Sequence, residues 1–241
     1  MEHIYELYND LPRQGPGDNA STKRALSLIP VLPEKPLILD IGCGSGMQTI
    51  ELARATNGTV TGVDNYQPFL DVLLANAKHN VKTVNASMDQ LPFDKGTFDL
   101  IWSEGAIYLM GFENGLNYWR DFLSPGGYMA VTEITWLNDN PHHEPKSFWQ
   151  AAYPEMKTVA ENLKTIKSSE YRNIGNFVLP ESSWWEDYYF PLLSRIEWFR
   201  KKYSGNNAVL AIADEVAAEI DLYRRYSDNY GYVFYVMQKS D

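Results

Sequence analysis

Apolar residues along the first half of the chain alternate between short unbroken runs and stretches spaced for a helix. Residues 21–32 (STKRALSLIPVL) place Ala25, Leu28 and Ile29 on one helical face, with Ser21 or Thr22 as the expected N-cap and Pro30 and Pro33 closing the segment. Residues 36–41 (PLILDI) then form an apolar run ended by Gly42, as expected for a strand buried on both faces of a parallel sheet. A helix is predicted over 47–55, a strand over 59–63, a helix over 68–79 and a strand over 81–85. Further strands are predicted over 98–103 and 128–133, separated by a helix over 113–123 and a Ser124-Pro125-Gly126-Gly127 turn.

This rhythm predicts an α/β fold: a Rossmann-like, seven-stranded, mostly parallel sheet with helices on both faces. It breaks after the fifth strand. Residues 136–155 hold Asn138, Asn140, Pro141 and Pro145 and read as a loop excursion. Helices are expected near 156–168, 184–202 and 208–226, with strands at 176–179 and 230–238, the last one antiparallel. The whole chain, 1–241, reads as one domain with an aromatic-rich helical cap drawn from about 1–20, 136–155 and 182–228.

Composition narrows the function. The 241 residues carry a net charge of −10, which argues against a nucleic-acid partner and against an acidic membrane surface. No window nears the roughly 20 apolar residues of a membrane span, and the opening MEHIYELYND lacks the pattern of a secretory signal. A cytoplasmic protein is the expectation. A single cysteine, Cys43, excludes an intrachain disulfide and a cysteine metal cluster.

Candidate chemistry begins after the first strand. Asp40-Ile41-Gly42-Cys43-Gly44-Ser45-Gly46 sets three glycines between strand and helix, where the chain must turn sharply and leave its backbone open to a ligand. The dinucleotide pattern GxGxxG fails in both registers, because Met47 or Thr49 stands where its last glycine belongs. Asp64 ends the second strand, 22 positions after Gly42, where a carboxylate can accept hydrogen bonds from ribose hydroxyls of either a dinucleotide or an adenosyl ligand.

From Leu39 to Val131 the motifs LDIGCGSG, GVD, ASMDQLPF, FDLI and a paired-glycine turn follow in order. With them the chain resembles the class I S-adenosylmethionine-dependent methyltransferases, in their small-molecule, ubiquinone-biosynthesis-like (type 11) branch. Arg13-Gln14-Gly15-Pro16-Gly17-Asp18, Trp102 to Tyr108 and Tyr230 to Tyr235 are similar to a narrower bacterial subgroup. The resemblance implies S-adenosylmethionine as cofactor. Gly42, Cys43, Gly44, Ser45 and Gly46 would meet its methionine half, with Asp40 orienting the loop. Asp64 and Asn65 would hold the ribose, Ser87, Met88 and Asp89 would flank the adenine, and Ser103 would follow the fourth strand beside the methionine moiety.

Methyl transfer from a sulfonium needs positioning and a dry pocket, and a base only where the acceptor must lose a proton. Glu104 is the candidate catalytic carboxylate, with cofactor or substrate binding as its other expected role. Tyr8, Arg13, Tyr108, Glu133, Trp184 and Trp185 are candidate acceptor-binding residues. Aromatic side chains at helical spacing also read as ordinary core. His142 and His143 lie in a loop without companion ligands, so no metal site is expected. A small-molecule methyltransferase is thus the leading expectation. A nicotinamide-dependent oxidoreductase and a non-catalytic cofactor-binding protein are the alternatives. Oligomeric state is not legible.

Overall fold

The apolar runs of the first half become β1 (Leu37–Ile41), β2 (Thr59–Asp64), β3 (Val81–Asn85), β4 (Phe98–Ser103) and β5 (Leu123–Trp136). The computed structural model describes residues 2–78 and 80–240. With β6 (Tyr171–Val178) and β7 (Tyr230–Lys239), these strands form one sheet of order β3-β2-β1-β4-β5-β7-β6. Strands β1 to β5 are parallel, and β7 runs antiparallel to both β5 and β6.

Period-two alternation buries both faces of this sheet. Ile38, Leu100, Ala130 and Phe234 point into one apolar layer, and Leu39, Ile101, Met129 and Tyr235 into the other. The first layer is covered by α1 (Glu2–Tyr8), α2 (Asn19–Ser27), α3 (Met47–Ala55) and the cap. Helices α4 (Gln67–Asn76) and α5 (Phe112–Arg120) follow β2 and β4. The second layer receives Leu116 and Trp119 of α5 and Ile166 of α7 (Val159–Ser168).

Several boundaries shift for identifiable reasons. Helix α2 starts earlier than expected because Asp18, not Ser21 or Thr22, caps it, its carboxylate accepting from the Ser21 amide at 2.7 Å. The helix expected over 68–79 ends at Asn76, and His79 lies outside the described residues. The excursion 136–155 contains a helix, α6 (His143–Ala152), whose N-cap is His142. Strand β6 is longer than expected and largely polar. It is the sheet edge, paired on one side only, with a register shift between Asn173 and Gly175.

The cap continues as α8 (Ser182–Trp184), a π-helical turn (Trp185–Tyr189), α9 (Phe190–Lys202) and α10 (Asn207–Tyr226). Among the described residues, no helix is long and apolar enough to cross a membrane.

Candidate functional site

The loop from β1 to α3 turns on three glycines with positive φ: Gly42 (+69°), Gly44 (+53°) and Gly46 (+86°). Each also faces a different close neighbour. A Cβ on Gly42 would stand 2.5 Å from the Ala106 Cβ, one on Gly44 would overlap the Gln14 amide oxygen, and one on Gly46 would overlap the Leu73 side chain. The loop is fixed to β2 by the Gly42 and Cys43 amides, which donate to the Val63 carbonyl at 2.8 and 3.0 Å. Gln48 braces it from α3 by donating to the Cys43 carbonyl at 3.0 Å.

Two of the remaining loop amides meet side-chain acceptors. The Gly44 amide donates to Asp64 Oδ2 at 3.0 Å, and the Ser45 amide donates to Gln14 Oε1 at 2.8 Å. Asp64 also accepts from the Tyr66 amide at 3.0 Å. Burial raises its carboxyl pKa, and these amides offset only part of the rise. Beneath the loop, Asp40 is fully buried and accepts from Thr49 at 2.5 Å, leaving Oδ1 without a partner. Burial pushes its pKa up to about 7.

The N-terminal segment straps across this loop. Arg13 donates to Glu104 Oε2 at 2.9 Å, with 4% and 3% of the two side chains exposed. The other Glu104 oxygen accepts from Thr22 at 2.7 Å and from the Trp102 indole at 2.9 Å. Glu104 therefore borders the loop with its carboxylate committed to three donors, rather than standing free as a proton acceptor. Tyr5, from α1, stacks on Tyr66 at 4.3 Å and donates to Asn65 at 3.3 Å.

Between loop and strap lies a cavity of about 220 Å³ at the carboxyl ends of the parallel strands, the general ligand position of such sheets. Gly42, Cys43, Gly44, Asp64, Asn65, Met88, Glu104, Arg13 and Tyr108 of the expected residues wall it. Sequence reasoning gave no role to Gln14, Gln48 or Ala106, which wall it too. The signal for Gln14 was present in the Arg13–Asp18 motif, and for Gln48 in its place on the first helical turn.

The other expected residues stand outside that wall. Ser45 and Gly46 belong to the loop but face Gln14 and Leu73. Ser103 is buried and donates to the Ile41 carbonyl at 2.8 Å, tying β4 to β1. Ser87 and Asp89 flank Met88, whose carbonyl is held by the Trp119 indole at 3.0 Å. Trp184 is core, stacked between Tyr223 and Tyr232 with centroids 4.0 and 5.3 Å away. Trp185 lies under the Arg224 guanidinium, 5.3 Å from its ring centre. Tyr8 pairs with Tyr188, hydroxyls 3.4 Å apart. Glu133 is 1% exposed, with Oε2 unpartnered, and burial pushes its pKa up to about 8.

Residues 38–127 match the methyltransferase-domain family. The chain is 30% identical over 193 residues to the sterol 24-C-methyltransferase of Saccharomyces cerevisiae, covering 73% of this chain and 48% of that one. It is 26% identical over 159 residues to a ribosomal protein arginine N-methyltransferase of Schizosaccharomyces pombe, covering 60% and 28%. The chain thus spans about half the length, or less, of these curated relatives. A methyltransferase structure from Geobacter sulfurreducens in complex with S-adenosylhomocysteine superposes with a TM-score of 0.82 at 16% identity, covering 98% of this chain and 97% of that one. With the glycine loop and the sheet order, these likenesses show the fold of the class I methyltransferases, with the methyltransferase-domain match confined to residues 38–127.

Proposed function

We propose that this protein transfers a methyl group from S-adenosylmethionine to a small-molecule acceptor. The observation that carries the reading is the glycine turn spanned by Asp64 from the neighbouring strand, set on the wall of the cavity. The side-chain-free glycines let a ligand approach the main chain of the turn, whose Gly42, Cys43 and Gly44 amides are held by Val63 and Asp64, while Asp64 and Asn65 present acceptors for vicinal hydroxyls. Met88 and Val63 supply apolar wall for a planar base. When bound, the cofactor supplies a sulfonium methyl whose displacement leaves a neutral thioether.

The chain's own residues then bind, orient and exclude water. Arg13 and Glu104 clamp the strap over the turn, and Tyr5 covers Asn65. A concave site of about 220 Å³ favours a small acceptor over a folded macromolecule. The relatives' names alone do not decide this, since one acts on a sterol and another on arginine. An oxidoreductase reading is disfavoured by Met47 at the position of the third dinucleotide glycine. The test is incubation with a metabolite pool and isotope-labelled S-adenosylmethionine, followed by mass analysis. A labelled small product supports the reading; label appearing only on protein contradicts it.

A further inference from the structure

An amino-acid end on a ligand brings a carboxylate, and a carboxylate needs hydrogen-bond donors that the protein has not already spent. The glycine turn has spent its own. Gly42 and Cys43 donate to the Val63 carbonyl, Gly44 to Asp64, Ser45 to Gln14 and Gly46 to the Cys43 carbonyl. The two glutamines of the cavity wall are also engaged, Gln14 donating to the Leu11 carbonyl and Gln48 to that of Cys43.

Arg13 on the strap is different. Among the described residues that wall the cavity it alone carries a positive charge, in a wall that also includes the carboxylates of Asp64 and Glu104. A guanidinium offers five N–H donors. Here Nη1 donates to Glu104 and Nη2 to Asn19, each at 2.9 Å, while Nε is buried with no partner among the described residues. A buried donor without an acceptor is unfavourable, so the group gains when a ligand supplies one. The fork is held in place: Asn19 opens α2, and Glu104 is itself anchored by Thr22 and Trp102. There is also room beside it. Gly15, two positions on and in the same wall, has no atom from beyond its chain neighbours within 4 Å of where a Cβ would lie.

We propose that Arg13 holds the carboxylate at the amino-acid end of the cofactor, through the guanidinium donors that Glu104 and Asn19 leave unspent. This rests on the methyltransferase reading and adds a specificity to it. The strap, rather than the glycine turn, tells an intact amino-acid end from one that has lost its carboxylate. A guanidinium suits that task because it stays charged and meets a carboxylate with directed donors. Without it, the remaining charges of the wall, Asp64 and Glu104, would favour the decarboxylated and more cationic ligand.

The test compares two ligands by calorimetry on the full chain. S-adenosylhomocysteine carries the carboxylate; S-adenosyl-3-thiopropylamine is the same molecule without it, ammonium retained. The unaltered chain should bind the first roughly tenfold or more tightly than the second. Arg13→Lys keeps a cation for Glu104 but removes Nε and the fork, and should cut that preference to less than about threefold. The double variant Arg13→Met with Glu104→Leu leaves neither charge unpaired, so it keeps the test open where the lysine variant fails to fold. It should lose the preference too. Equal binding of the two ligands by the unaltered chain, or a preference that survives in a folded variant, overturns the assignment of Arg13 and leaves the methyltransferase reading standing. Absence of S-adenosylhomocysteine binding overturns both.

Discussion

Arg13 and Glu104 form a buried ion pair, 2.9 Å between Nη1 and Oε2, that ties the N-terminal strap to the end of β4 beside the glycine loop. Two charges removed from water are held by each other and by hydrogen bonds with Asn19, Thr22 and Trp102. Arg13→Ala should lower stability by about 3–5 kcal/mol, because it leaves Glu104 charged and unpaired. The double variant Arg13→Met with Glu104→Leu should cost less than either single change. A double-mutant cycle by urea denaturation measures this, and additive effects of the two changes would show that the residues act independently.

The buried carboxyls set a pH dependence. Asp40 is pushed up to about 7 and Glu133 to about 8 by burial, from ordinary values of 3.8 and 4.5. Between each pair of values the folded chain holds a proton that the unfolded chain has released. Stability from these groups is thus present at low pH and lost as pH rises through that window, by at most about 1.4 kcal/mol per pH unit for each group. Asp40→Asn should flatten the decline between about pH 4 and 7. Denaturation curves across that range check it; an unchanged slope would mean that Asp40 titrates normally.

The glycine at the start of α3 makes a sharper prediction. Gly46 has φ +86° and faces the Leu73 side chain, so Gly46→Ala meets both backbone strain and overlap. A loss of about 1–3 kcal/mol is expected. Thermal unfolding reads it, and an unaltered midpoint would show that the turn relaxes freely.

Trp184 tests the division between core and pocket. Its ring is sandwiched between Tyr223 and Tyr232, and 2% of it is exposed. Trp184→Ala should cost about 3–5 kcal/mol of stability while leaving cofactor affinity within twofold, roughly, wherever the variant remains folded. Unchanged stability combined with altered ligand binding would instead make Trp184 a pocket wall.

The cofactor half was legible because strand, turn and helix there are local. The run 37–41, the glycines and Asp64 declare themselves within a span of contiguous residues, and the structure places Asp64 on the Gly44 amide. The strap was not legible in the same way. Gln14 reaches Ser45, and Arg13 reaches Glu104, across 31 and 91 positions, and nothing in local spacing announces such contacts. Aromatic residues in the cap were ambiguous for another reason. Trp184 and Tyr189 have the same apolar periodicity whether they fill a core or line a pocket, and only their burial in one aromatic cluster with Tyr223 shows them to be core. Only the C-terminal end of β6 was legible, as the strand expected at 176–179; its polar first part escaped because one-sided pairing removes the hydrophobic alternation that marks a strand.

The most direct measurement is a calorimetric titration of S-adenosylmethionine, and in parallel of NAD, into the unaltered protein and its Asp64→Ala variant. The account predicts binding of S-adenosylmethionine alone, weakened in the variant by about 1.5–3 kcal/mol as the hydrogen bonds to a charged carboxylate are lost. Absence of S-adenosylmethionine binding, or equal affinity in the two proteins, would contradict it.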